Sequence, residues 1–148
     1  MYLCEVIETE LLRSVELFSG FDESTLQLVA NAAELRKLTR GDVLFAEHDD
    51  PDELYVTVRG RIAMVNRSVD GRESVVALME DGDLFGEMPL FDHQSRSTDA
   101  RALEASDVVA IPYEPLREIY QNDPRQLWRV VELLTNRIRV IDGVLADS

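Results

Sequence analysis

From Leu54 onward, alternation of apolar and other side chains is broken again and again by tight-turn residues. Leu54, Val56 and Val58 alternate with Tyr55, Thr57 and Arg59, and a turn at Arg59-Gly60-Arg61 leads into Ile62-Ala63-Met64-Val65. Asp70-Gly71 then precedes Ser74 to Met79, and further turns fall at Arg40-Gly41-Asp42, His48 to Asp52 and Glu80 to Asp83. Period-two runs this short cannot form long helices. Turns about every dozen residues predict an antiparallel β-roll or jelly-roll barrel.

Helices flank this centre. Leu11, Leu12, Val15 and Leu17 form an apolar group before Gly20, and Asp22-Glu23-Ser24 opens a second helical run. The helical pattern is expected to extend from Glu5 to about Leu35. A last strand is read at Val108 to Ile111, then a short helix from Pro115 to Gln121. Asn122-Asp123-Pro124 caps a long terminal helix, in which Leu127, Val131, Leu134, Ile138, Ile141 and Leu145 step by 4, 3, 4, 3 and 4. That spacing is a heptad seam, suited to a partner helix. A second stripe, Val130, Leu133, Val140 and Val144, lies roughly a quarter-turn away. Either one stripe packs on the barrel and the other on a second chain, as a homodimer, or one wide face is buried within the monomer. The fold class is thus mainly β with flanking helices (α+β). A β-roll with its helices spans 1–121, and a dimerisation helix spans 122–148.

Charge and composition narrow the partners. With 29 acidic against 15 basic residues, a net charge of -14, the surface should repel a polyphosphate backbone, so this polypeptide alone is expected to bind DNA poorly. A single cysteine, Cys4, leaves no internal disulfide and no thiolate set for zinc or an iron–sulfur cluster. His48 and His93 are the only histidines, so a metal-holding catalytic roll, which needs two or three converging histidines, is not expected. No metal, no cofactor and no enzyme activity are anticipated. No apolar run approaches a membrane span, and the acidic start does not resemble a signal peptide, so a cytoplasmic location is expected.

Within this acidic chain, Leu84 to Ala102 reads LFGEMPLFDHQSRSTDARA. Gly86 and Glu87 suggest a tight turn, and Met88 and Pro89 begin a short helix with free N–H groups. Arg96 offers a planar fork for anion oxygens. Ser97 and Thr98 add hydroxyls. Glu87 would repel phosphate yet accept well from sugar hydroxyls. Anion donors beside a sugar acceptor point to a nucleotide. The alternative is that Glu87 and Arg96 simply pair across a loop.

The order Phe85-Gly86-Glu87-Met88-Pro89-Leu90-Phe91 through Arg96-Ser97-Thr98 resembles the phosphate-binding cassette of cyclic-nucleotide-binding domains. These occur in the cAMP receptor protein (Crp/Fnr) family of bacterial transcription regulators and in regulatory subunits of cAMP-dependent protein kinase. The resemblance extends over nearly the whole chain, including the Arg40-Gly41-Asp42-Val43-Leu44-Phe45 run and the terminal helix. It implies a cyclic nucleotide as ligand, cAMP or cGMP, rather than a cofactor. Glu87 would take the ribose 2′-hydroxyl, with Gly86 allowing close approach. Met88, Pro89, Arg96 and Ser97 would hold the phosphate, and Thr98, Ile141 and Asp142 would lie near the base. Ile141 departs from the hydroxyl or amide side chains that adenine-reading relatives often carry there. The resemblance further implies the effector half of a transcription regulator, reaching DNA only through a following domain absent from this chain. The other reading is a stand-alone or degenerate module acting on a protein partner.

Overall fold

The computed structural model describes residues 6–147, with side chains through residue 143. Cys4 therefore lies outside the described residues, as do the side chains of Val144 and Leu145.

Three short helical elements begin the chain: α1 (Thr9–Arg13), a 3-10 turn (Glu16–Phe18) and α2 (Glu23–Ala32). Asp22 caps α2, its carboxylate accepting from the Thr25 amide at 2.8 Å. The helical pattern expected to reach Leu35 stops earlier, because Glu34 and Leu35 belong to a strand, β1 (Glu34–Leu38). No residue of β1 is buried, so its own pattern carries no strand signal, and pairing with a distant strand sets its conformation.

The remaining strands are β2 (Val43–Phe45), β3 (Glu53–Arg59), β4 (Ile62–Arg67), β5 (Glu73–Met79), β6 (Leu84–Phe85), β7 (Asp99–Ala102) and β8 (Ser106–Pro112). Between β6 and β7 lies α3 (Met88–Asp92). Among the described residues the strands form two antiparallel four-stranded sheets, ordered β1-β8-β3-β6 and β2-β7-β4-β5. This is the antiparallel double-sheet roll that the turn spacing predicts. β2 and β7 were not read as strands; they are short and pair only with partners far along the chain.

Alternation along β3 and β8 divides the core in two. Leu54, Val56, Val109 and Ile111 face the helices, packing with Leu12, Phe18, Leu26, Val29 and Leu116. Tyr55, Val108 and Ala110 face the inside of the roll with Phe45, Ile62, Phe85, Ala100 and Ala102. The sheet is thus covered on both faces, and β3 runs buried from Leu54 to Thr57 although its sequence alternates.

After β8 the chain enters α4 (Tyr113–Asn122), two residues earlier than the expected start at Pro115, and then α5 (Pro124–Asp147). Pro112, with its fixed φ, occupies the N-cap of α4. Gln126 donates to the Gly20 carbonyl at 2.9 Å, tying the start of α5 to the N-terminal helices. Val130 is buried against the body and Leu133 half-buried, whereas Leu127, Val131, Leu134, Ile138 and Ile141 are exposed. Val140 of the second stripe is exposed as well. Among the described residues no helix is long and apolar enough to cross a membrane.

Candidate functional site

The cassette is built on the exit from β6. Gly86 follows Phe85 with φ +76°, a region that side-chain-bearing residues rarely adopt. A Cβ there would stand 2.9 Å from Arg96 Nη1 and 3.2 Å from Tyr55 Cδ2, so space as well as conformation requires glycine. Glu87 is the N-cap residue of α3, half-buried, and its side chain makes no capping bond. Met88 and Pro89 form the first turn, where a missing proline N–H costs nothing.

Arg96 is anchored from both ends. Its backbone pairs with the loop after β2: its N–H donates to the Asp49 carbonyl at 3.0 Å, and its carbonyl accepts from His48 at 2.8 Å. Its side chain is buried, with only 4% of the residue exposed. Nη1 donates to the Gly86 carbonyl at 2.9 Å and to the Tyr113 hydroxyl at 3.3 Å, and Nη2 donates to the Glu53 carbonyl at 2.6 Å. The guanidinium also stacks over Phe45, 4.0 Å from the ring centroid. None of these bonds goes to Glu87, so the loop-spanning ion pair is not what holds the two residues. A guanidinium carries five N–H donors. Three are engaged, and among the described residues Nε–H and one Nη2–H have no bonding partner.

Gly86, Glu87, Met88, Pro89, Arg96, Ser97 and Thr98 all line one cavity of about 230 Å³. Seven of the residues singled out from sequence thus converge. Ser97 is exposed and Thr98 half-buried. Ile141 and Asp142 are not brought to this cavity; both stand exposed on α5.

The rest of the lining was missed in the sequence. Phe45, Met64, Val76, Ala77, Met79 and Phe85 supply it. Met64 pairs with Ala77 and Ile62 with Met79 across the β4–β5 ladder, so the alternation of these strands was the available signal. The lining thus combines apolar side chains with a carboxylate, an arginine and two hydroxyls. Such a cavity can take a ligand that combines a flat apolar part, a sugar and a single anionic group. Burial pushes the Tyr55 and Tyr113 phenols up, with Glu53 adding to the effect at Tyr55, so both stay neutral hydrogen-bonding groups at neutral pH. Among the described residues no cluster of three His, Cys, Asp or Glu side chains could hold a metal ion.

Residues 35–123 match the model of the cyclic nucleotide-binding domain. The chain belongs to this family. It is 28% identical over 138 residues to the CRP-like cAMP-activated global transcriptional regulator of Mycobacterium tuberculosis, covering 93% of this chain and 62% of that protein. The crystal structure of the Thermus thermophilus catabolite activator protein superposes with a TM-score of 0.71 at 28% identity, covering 88% of this chain and 62% of the other. The sensor domain of the transcriptional regulator DNR from Pseudomonas aeruginosa superposes with a TM-score of 0.81, covering 90% and 91% of the two chains. At 20% identity that likeness is one of fold alone. The cyclic nucleotide-binding domain is therefore of the kind found in CRP-type regulators, and it spans about three fifths of the length of the curated relatives it matches.

Proposed function

We propose that this domain senses cyclic AMP as the effector half of a transcription regulator, pairing with a second copy along α5. The observation that carries this reading is the state of Arg96. Its guanidinium is buried and held by three protein acceptors, yet keeps two donors at a cavity shared with Glu87 and Ser97. A cyclic phosphate carries a single negative charge and suits one such arginine.

Arg96 and Ser97 would meet the phosphate beside the first turn of α3, and Glu87 would accept a ribose hydroxyl. The apolar wall around Met64, Val76 and Met79 would cover one face of the base, with Thr98 at its edge. Cyclic AMP is favoured because the Mycobacterium tuberculosis relative is named as cAMP-activated and the Thermus thermophilus one as a cyclic AMP receptor protein. Ile141 and Asp142 would reach the base when α5, from the same chain or a second copy, lies across the cavity mouth. The exposed seam from Leu127 to Ile141 supports such pairing.

Binding would then shift the paired helices in angle or register and reset a following DNA-binding domain. A ligand can bias this only through its difference in affinity for the two states. Isothermal titration with cyclic AMP and cyclic GMP in parallel tests the reading. One site per chain with tighter binding of cyclic AMP is expected. Absence of heat with either nucleotide overturns the site, and tighter cyclic GMP binding overturns the ligand.

A further inference from the structure

Tyr113 is the first residue of α4 and is only 1% exposed. Its amide donates to the Asp52 carbonyl at 2.8 Å, so its backbone is fixed beside the start of β3. The hydroxyl gives a short hydrogen bond to the Gly86 carbonyl and accepts from Arg96 Nη1 at 3.3 Å. Because Nη1 also donates to Gly86 at 2.9 Å, the phenol, the guanidinium and the carbonyl close a three-membered ring of hydrogen bonds. On the next turn of α4, Arg117 lies over the Tyr113 ring, 5.3 Å from its centroid. Tyr113 itself does not line the cavity.

A phenol has one proton to give, and here it goes to Gly86. Its lone pair is then left for Arg96. Arginine has a long flexible stem, and an anion bound through Nε and Nη2 needs the guanidinium plane set in advance. The Glu53 carbonyl restrains one end of that plane and the Tyr113–Gly86 pair the other.

We propose that Tyr113 is a positioning residue for anion capture, setting the plane of Arg96 through one hydroxyl. The proposal rests on the reading of Arg96 as the phosphate-holding residue. Removing the hydroxyl leaves Nη1 a single acceptor and loosens that end of the guanidinium, while the buried ring is retained.

The test titrates the wild-type chain, Tyr113→Phe, Arg96→Ala and the double variant with cyclic AMP. The first two proteins are also titrated with adenosine, which lacks the phosphate. Tyr113→Phe is expected to weaken cyclic AMP about three- to tenfold, the loss of one hydrogen bond's worth of organisation. It should leave adenosine binding unchanged and add less than about twofold in the Arg96→Ala background. Wild-type affinity in Tyr113→Phe overturns the proposal. So does an equal loss for cyclic AMP and adenosine, which marks a merely structural role, or an undiminished effect in the double variant. If Arg96→Ala binds cyclic AMP as the wild type does, the phosphate assignment itself fails, whatever Tyr113 does.

Discussion

The guanidinium of Arg96 lies 4.0 Å over the ring of Phe45, inside a chain whose net charge is -14. Carbonyl oxygens and an aromatic face compensate the buried cation in place of a carboxylate. That arrangement would suit the proposed anion capture, since a carboxylate partner would neutralise the charge before a ligand arrived. Arg96→Ala is expected to reduce cyclic-nucleotide affinity by on the order of 1.5–3 kcal/mol, the loss of a charge-assisted contact. Calorimetric titration measures it, and an unchanged affinity would move the phosphate elsewhere. Phe45→Leu keeps an apolar side chain but removes the ring face, and should lower stability to urea by about 0.5–2 kcal/mol.

The seam on α5 gives a second prediction. Leu134 and Ile141 are exposed at 45% and 58%, and Val130 on the body-facing side is buried. Replacing Leu134 and Ile141 by glutamate should therefore yield a folded monomer. Sedimentation velocity decides it: a dimer surviving both changes would place the interface on another surface.

Gly60 supplies a test of the roll itself. Its φ is +98°, and a Cβ there would come within 2.7 Å of the Ser106 Cα as well as against its side chain. The Ser106 hydroxyl accepts from the Arg61 amide at 3.1 Å, so this approach joins the β3–β4 turn to β8. Gly60→Ala should cost at least about 1–3 kcal/mol in chemical denaturation, the ordinary penalty of a strained backbone position. Wild-type stability would mean that β8 can give way at little cost.

Alkaline pH should weaken the fold through its tyrosines. Burial pushes the phenols of Tyr55, Tyr113 and Tyr120 above their ordinary range, with the Glu53 hydrogen bond adding to the effect at Tyr55. A raised folded-state pKa favours the neutral phenol. The stability it carries is complete below the ordinary tyrosine value, about pH 10, and is lost as pH rises through the raised values. Absorbance of tyrosinate near pH 11 should stay low for these three until the chain unfolds. Smooth ionisation of all four tyrosines before unfolding would contradict the burial of the three.

Much of the roll is legible because β3 alternates, β4 and β8 are short apolar runs, and the turns carry glycine. The strands around Leu54 and Val108 were read near their observed limits, whereas β1, β2 and β7 were not. β1 has no fully buried residue, β2 has three residues, and both owe their conformation to partners more than 50 residues away. The cassette was legible because its chemistry is local: Gly86 to Thr98 is one continuous segment. Phe45, Met64, Val76 and Met79 were not assigned to the site, because only the ladders and the closing of the roll carry them to it. Ile141 and Asp142 lie where α5 has left the body, so contacts within one chain do not bring them to the cavity.

By itself the sequence determined the period of the strands, the apolar seam on the last helix, the excess of acidic residues and the nearness along the chain of an arginine to a Gly-Glu turn. These are properties of neighbouring residues, and periodicity, turn chemistry and charge act over a few positions. Only the tertiary structure decided that Arg96 turns inward onto the Gly86 and Glu53 carbonyls and that Tyr113 closes the ring around it. Those groups come from β3, the cassette and α4, separated by up to 60 positions (Glu53 to Tyr113). What joins them is the burial of a charge, which must find acceptors wherever the packed sheets supply them.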